Sequence, residues 1–452
     1  MKRENSKARV SFATLGCRVN QWDTDALATL FRRSGYQVVP FGQPAEVCVI
    51  NTCAVTGESV RQSRQLARRA RRLLPGAVVA LVGCYPEAER EEAEALPEVD
   101  VILGTRERRA LLPAVEEALR RRKEAPRLLS PGSPRRTRRG EPFEDLPREE
   151  VSGRTRAVIK VQEGCDEFCS YCIVPLARGG ERSRPVESIV REAEELSRRG
   201  HREVVLAGTH LSAYGRDLGR GPGLAQLLLE LEKVEGVERI RLSSLEPSAL
   251  EEDFFQLLPR LRKLCPHFHL PLQSGSDRIL GLMRRRYSTE RFRNIIHRLR
   301  ETFPHAGVST DVIAGFPGED EDDHRRTMEF CREMEFSHLH VFPFSPRRRT
   351  LAARLPRRVP EETKKRRVRE LLELGAELSR SFRQKHVGRT VSVLVEGERE
   401  GWLEGLSAEG LRVHFRNRGT EGTETKTVKP GEIVEVRVLG LREDGVEGRL
   451  EG

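Results

Sequence analysis

The chain of 452 residues has no run of about 18 apolar residues, the length that a membrane-crossing helix needs. No apolar signal core precedes the first strand-like segment in MKRENSKARVSFATLG, so a cytoplasmic location with no membrane partner is expected. A disulfide framework is excluded on the same ground, because the cytoplasm is reducing. The nine cysteines therefore read first as ligands or reactive groups. Net negative charge is also missing. The balance is +11, and the excess is clustered in RQSRQLARRARR (61–72), RRRK (120–123), RRTRR (135–139), RRR (347–349) and KKRR (364–367). Many of these arginines can pair with the 69 acids, yet clustered Arg attracts phosphate backbones. An RNA or DNA partner is expected.

The first part of the chain repeats one unit. Apolar runs at 9–16, 45–52, 77–83 and 99–104 alternate with helix-period segments at 21–33, 58–74, 86–95 and 107–123. That alternation predicts a doubly wound parallel α/β sheet over 8–124. Residues 125–152 are rich in Pro, Gly and charge and read as a linker. Six further strand–helix units follow, with strands AVIKV (157–161), EVVLAG (203–208), RIRLSS (239–244), HFHLPL (267–272), VSTDVIAG (308–315) and HLHVFPF (338–344). They predict a partial TIM-like barrel over 153–385, closed by a basic helix at 361–385. From 386 to 452 the segments RTVSVLVEG, GWLEGLS, LRVHFRN, TKTVKPG and EIVEVRVLGL are short, alternating and Gly-punctuated. They predict a five-stranded β-barrel. Such barrels often bind nucleic acid, but with only Trp402 and Phe415 as aromatics, base stacking would be limited.

Six cysteines fall at one structural phase. Cys17 follows the first strand (TLGC), Cys53 the second (INTC) and Cys84 the third (VGC). Strand C-termini of a parallel sheet share one edge, where ligands bind, so these three should converge. Cys165, Cys169 and Cys172 follow the first barrel strand in EGCDEFCSYC. Zinc would want a fourth ligand; His201 and His210 are the nearest candidates and nothing singles either out. A [4Fe–4S] cubane explains three thiolates better, with one iron left for a small molecule. Cys48, Cys265 and Cys331 read as small buried hydrophobes.

The C-x3-C-x2-C loop resembles that of the radical S-adenosylmethionine (SAM) enzymes. TLGCRVNQWDTDAL, VINTCAVT, VGCYPE, KVQEGCDEFCSYCIVPLARGGERSR, LPLQSGSD, DVIAGFPGE and HVFPFSPR narrow the resemblance to the methylthiotransferases. The resemblance implies an N-terminal methylthiotransferase domain, a radical SAM barrel and a C-terminal TRAM barrel that binds substrate. It implies two [4Fe–4S] clusters and SAM. The cluster on Cys165, Cys169 and Cys172 would hold and cleave SAM; the one on Cys17, Cys53 and Cys84 would hold sulfur for transfer. Among the branches, GCRVNQWDTDAL, TRAVIKVQEGC and HVFPFSPR are most similar to the enzymes that act on N6-threonylcarbamoyladenosine at position 37 of tRNA. An isopentenyl-adenosine enzyme, a modifier of a ribosomal-protein aspartate, and a non-catalytic zinc-stabilised RNA-binding protein are the rivals. The implied partners are tRNA and a flavodoxin- or ferredoxin-like electron donor, with the sulfur donor unassigned and the chain a monomer. Gly208, Gln273, Ser274, Gly275, Asp311 and Gly315, at strand ends, are expected to position SAM. Arg178, Arg182 and Arg184 are expected to hold the SAM carboxylate or an RNA phosphate, or else to form a solvated turn. His269 reads equally as a core histidine or a ligand contact.

Overall fold

The computed structural model describes residues 8–121, 142–149, 151, 153–219, 223–416 and 428–451. Contacts divide the chain into two compact units. The first comprises Met1–Ser152, Gln162–Ser183 and Ser345–Ala353, and the second Gly153–Val161, Arg184–Phe344 and Arg354–Gly452.

The first unit is built on β1 (Arg9–Thr14), β2 (Gln37–Val39), β3 (Val47–Thr52), β4 (Val78–Gly83) and β5 (Val101–Leu103). They pair in the order β2-β1-β3-β4-β5, and every pairing is parallel. Alternate side chains point to opposite faces of a strand, so each strand feeds two cores. Val10, Val47 and Val78 pack with Leu27 and Phe31 of helix Arg18–Arg33. Cys48, Ile50 and Val79 pack on the other face with Val60 and Ala67 of helix Gly57–Leu73. That helix buries Val60, Ser63, Ala67 and Ala70, the three- and four-residue spacing of one helical face. The doubly wound expectation is met. The three-residue edge strand β2 was not expected; it is too short to carry a periodic signal.

Other segments of the first unit lie outside that sheet. Gln162 and Glu163 pair antiparallel with Ser183 and Arg182. Glu144 and Glu149, in the tract 142–149, accept from Arg108 at 3.2 Å and Arg33 at 2.8 Å. Most of the expected linker, including RRTRR, lies outside the described residues.

The second unit carries a partial barrel. Its strands are β6 (Arg156–Glu163, whose last two residues belong to the first unit), β8 (Glu203–Gly208), β9 (Arg239–Leu242), β10 (His267–His269), β11 (Gly307–Ala314) and β12 (His338–Pro343). The two-residue β7 is Arg182–Ser183. β6, β8 and β9 are neighbours, as are β10, β11 and β12. Parallel bridges Ile240↔Leu264 and Ser244↔His269 join the two sets. Helix Glu361–Gln384 packs closely on β12: a Cβ at Gly375 would lie 3.2 Å from Leu339.

Five strands then close a barrel: β13 (Thr390–Arg399), β14 (Trp402–Ser407), β15 (Arg412–Arg416), β16 (Ile433–Leu441) and β17 (Val446–Leu450). The count is as expected, but the fifth strand is Val446–Leu450. TKTVKPG was expected to supply a strand; its first three residues lie outside the described ones and Val428–Gly431 form no strand. Phe415 is fully buried in this barrel's core, so it offers no stacking surface. Trp402 is flanked by the guanidiniums of Arg416 and Arg442, each 4.8 Å from its ring centre. The barrel is fastened by two buried arginines of β9. Arg239 donates to Ser392 Oγ at 2.8 Å, and Arg241 to the Ser407 carbonyl at 3.0 Å. Glu203 offsets both charges, 2.6 Å from Arg241 and 3.6 Å from Arg239. Among the described residues, no helix is long and apolar enough to cross a membrane.

Candidate functional site

β1, β3 and β4 are adjacent in the sheet, so the residues that follow them share one edge. This order, 2-1-3-4-5, reverses at β1/β3, where open α/β sheets bind their ligands. Cys17 caps helix Arg18–Arg33, and Cys84 opens helix Cys84–Ala88. Cys53 lies just before Thr56, the cap of helix Gly57–Leu73. Helix N-termini favour negative charge, thiolate included. A Cβ at Gly16, whose φ is +98, would lie 2.9 Å from Cys53 Cβ, which shows how closely the Cys17 turn approaches Cys53. The Cys84 thiol is pushed up to about 12 by burial, with the Arg178 cation opposing and Cys53 and Cys17 adding to the rise.

Side-chain hydrogen bonds tie these strand ends together. The Asn20 amide donates to the carbonyls of Leu15 at 2.7 Å and Thr52 at 2.9 Å. Asn51 Nδ2 donates back to the Asn20 carbonyl at 2.9 Å. Thr52 Oγ1 donates to the Val82 carbonyl at 2.7 Å and accepts from Tyr85 N at 3.3 Å. The polar residues that flank the three cysteines thus hold one another.

The second triplet lies in the same unit. Cys165 N donates to the Gly179 carbonyl at 3.0 Å, and Cys172 N to the Cys169 carbonyl at 3.0 Å. Gly164, with φ +82, brings the chain so near its return arm that a Cβ would stand 1.9 Å from the Gly180 oxygen. Phe168 adopts φ +49 and is 57% exposed, a strained, solvent-facing aromatic between the first two cysteines. Burial raises the Cys165 thiol, and Cys172 and Cys169 add to the rise. All nine cysteines are free thiols. At Cys84 and Cys165, then, burial first and the neighbouring thiols second disfavour deprotonation, and metal binding is what deprotonates such ligands. The donor set fits an iron–sulfur cluster at each place. Of the two histidines weighed for zinc, His201 is engaged with the Thr155 carbonyl at 3.1 Å and His210 is buried.

A buried charge network runs beside both triplets, and sequence reasoning missed it. Glu163 receives Arg108 at 2.7 Å and Arg178 at 2.6 Å, with Arg182 at 3.8 Å. Asp23 receives Arg108 at 2.9 Å and Arg178 at 3.6 Å. Arg178 also donates to Asn20 Oδ1. The only local signal was position: Glu163 lies two residues before Cys165, and Asn20 three after Cys17. The three downstream arginines are not a solvated turn. Arg178, Arg182 and Arg184 are 3%, 5% and 5% exposed. Arg182 donates to the carbonyls of Arg178 at 3.0 Å and Gly180 at 3.2 Å, and Arg184 pairs with Glu192.

The remaining expected residues lie in the second unit. Gly208 ends β8, and its N–H meets Ser243 Oγ at 3.4 Å. Gln273 is a buried non-glycine residue at φ +67, held by its N–H on the Asp311 carbonyl at 2.8 Å. Ser274 is buried and near Thr327 Oγ1. Gly275 admits helix Glu321–Glu333 so closely that a Cβ would lie 2.6 Å from Thr327 Cα. Gly315, at φ +75, donates to Glu319 Oε2 at 2.5 Å. His269 has both ring nitrogens engaged, with Ser309 Oγ at 3.0 Å and Asp311 Oδ1 at 3.3 Å. Cys48, Cys265 and Cys331 are fully buried, and burial pushes them up to about 11, 12 and 12; they behave as packing residues.

Comparisons with known proteins agree with this geometry. The family model of the radical SAM superfamily matches residues 159–331, and that of uncharacterized protein family UPF0004 matches residues 9–104. The chain is 38% identical to the threonylcarbamoyladenosine tRNA methylthiotransferase MtaB of Bacillus subtilis, over 96% of this chain and 94% of that one. It is 42% identical to the protein of the same name from Aquifex aeolicus, over 86% and 92%. A tRNA-2-methylthio-N(6)-dimethylallyladenosine synthase of Pelotomaculum thermopropionicum is 34% identical over 94% of each. Among solved structures, the radical SAM methyltransferase TsrM of Kitasatospora setae aligns with a TM-score of 0.55 at 16% identity, covering 74% of this chain and 72% of that one; this likeness concerns the fold alone. The chain belongs to the radical SAM methylthiotransferase family.

Proposed function

We propose that this chain converts threonylcarbamoyladenosine in tRNA to its 2-methylthio derivative. The observation that carries the reading is near-full-length similarity, at 35–42% identity, to three relatives named for that substrate. The convergence of three cysteines at the β1, β3 and β4 ends supports a transferase rather than an RNA-binding protein. The dimethylallyladenosine synthases, at 34% for the relative described above, supply the second reading.

Family membership implies a [4Fe–4S] cluster and SAM. Cys165, Cys169 and Cys172 would hold that cluster, and Cys17, Cys53 and Cys84 a second one. When bound, these groups supply one-electron cleavage of SAM and a sulfur for transfer. The chain's own residues set the frame. Asn20, Asn51 and Thr52 hold the three N-terminal cysteines in register. Gly164 lets the other cysteine loop fold back on Gly179 and Gly180. Buried side chains such as Ile173, Ala177 and Tyr85 keep water from the Cys84 side. Gly208, Gln273, Ser274, Gly275, Asp311 and Gly315 are our candidates for SAM contacts. Arg178 and Arg182 were expected to join them, but their partners in the structure point to another role, taken up below. A flavodoxin- or ferredoxin-like donor and a monomeric state complete the proposal.

The test is nucleoside analysis of tRNA from a strain lacking the gene. Loss of the methylthio derivative of threonylcarbamoyladenosine, restored by the intact chain, is expected. Loss of the isopentenyl derivative instead would move the assignment to the other branch. Unchanged tRNA with an altered ribosomal protein would make the acceptor an aspartate.

A further inference from the structure

We infer that Arg178 is a positioning residue for the cluster of Cys17, Cys53 and Cys84, supplied from the loop that carries the other cluster. The inference rests on the two-cluster reading above. Arg178 ends the helix Val174–Arg178, which begins two residues after Cys172. That helix is pinned by Thr105 Oγ1 on the Ala177 carbonyl at 2.7 Å, and by Ile173 and Ala177 in one core with Cys84 and Tyr85. Its last side chain leaves the Cys165 loop and ends on Asn20 Oδ1, with Glu163 at 2.6 Å and Asp23 at 3.6 Å.

Arg178 shares both of its acids with other arginines, while Glu144 takes up part of the Arg108 charge at 3.2 Å. Glu163 already has Arg108 at 2.7 Å and Arg182 at 3.8 Å, and Asp23 has Arg108 at 2.9 Å. Burying a guanidinium costs several kcal/mol unless charge and hydrogen bonds compensate it. A neutral thiol compensates poorly, whereas an anionic thiolate-held cluster compensates well. The remaining contact has the same sense. Arg178 donates to Asn20 Oδ1, while the Asn20 amide holds the carbonyls of Leu15 and Thr52, beside Cys17 and Cys53. One guanidinium therefore links the strand ends before Cys17 and Cys53 to the base of the other cysteine loop, and its helix packs in one core with Cys84. Net charge and hydrogen bonds to sulfur set cluster potentials, so a fixed cation favours the more negative, reduced state and raises the potential.

The experiment uses the full chain with Cys165→Ala, Cys169→Ala and Cys172→Ala, so that one cluster remains. Iron is counted after anaerobic reconstitution, and the cluster is titrated with electron paramagnetic resonance as the readout. In this parent, about four irons per chain are expected. Arg178→Gln should move the midpoint to lower potential and alter the spectrum, and Arg178→Lys, which keeps the charge, should recover most of the shift. A merely structural arginine would lower the melting temperature without a charge-dependent potential. If Arg178→Gln does not fold, Arg178→Met, which fills the site without the charge, is read in its place, with the same lower potential expected. Titration at the parent potential with the parent spectrum, in either variant, overturns the inference. A parent that binds no iron overturns the two-cluster reading, and the inference with it.

Discussion

Asn20 Nδ2 lies 2.9 Å from the carbonyl oxygen of Thr52, so the helix that follows Cys17 is tied to the residue that precedes Cys53. Both residues are buried. Asn20→Ala leaves that carbonyl and the Leu15 carbonyl without their donor, which costs about 1–3 kcal/mol for a buried group. Chemical denaturation should show the loss. Iron per reconstituted chain should fall toward half, because the N-terminal cysteines lose register while Cys165, Cys169 and Cys172 do not. Full iron content would show that Asn20 is not needed for loading.

The two triplets have separable roles. Cys165→Ala should abolish formation of deoxyadenosine from SAM. Cys53→Ala should leave that reaction in place and stop methylthiolation. Loss of both activities in Cys53→Ala would make the N-terminal cysteines structural.

Gly164 is constrained on two counts, a φ of +82 and a Cβ position 1.9 Å from the Gly180 oxygen. Gly164→Ala should displace the cysteine loop, with strain on the order of 1–3 kcal/mol. Deoxyadenosine formation should fall at least about tenfold, the equivalent of about 1.4 kcal/mol. A wild-type rate would mean that the loop tolerates the shift.

Glu203 is fully buried between Arg241 and Arg239. Glu203→Gln would strand both arginines, and breaking a buried pair costs about 3–5 kcal/mol. Thermal unfolding should shift down clearly. An unchanged melting curve would mean that the Leu406 carbonyl, 3.2 Å from Arg239, and the Ser407 and Ala408 carbonyls, 3.0 and 3.1 Å from Arg241, suffice.

His340 is pushed down to about 4 from 6.5 by burial, then by His338 and His269, with Asp311 opposing. The folded chain therefore resists a proton that the unfolded chain accepts. This contribution is fully present above about pH 6.5 and is lost progressively as pH falls toward about 4. His340→Gln should flatten that part of the stability–pH curve. An identical acid limb in both proteins would show that His340 does not shape it.

The placement of Cys17, Cys53 and Cys84 was legible because each follows an apolar strand, so strand order alone brings them to one edge. The parallel sheet, the partial barrel and the closed small barrel were legible from periodicity. The network around Arg178 was not. Asp23, Arg108, Glu163 and Arg178 are scattered along the chain and share no period, and their pairing exists only after folding. For the same reason the shared partner of Arg178 and Arg182, Glu163, was not foreseen. β7, two residues long, and β17, with charged residues in VEGRL, gave too little pattern. Gly275 shows the converse: its small size serves the approach of Thr327, a packing reason that sequence cannot separate from ligand contact.

The central claim is most directly tested by offering the reconstituted chain equal amounts of tRNA carrying threonylcarbamoyladenosine and tRNA carrying isopentenyladenosine, with SAM and a reductant, and measuring methylthio nucleosides by mass spectrometry. The account predicts the methylthio product on threonylcarbamoyladenosine alone, with deoxyadenosine formed alongside. Methylthiolation of isopentenyladenosine alone, or deoxyadenosine with neither tRNA modified, would contradict it.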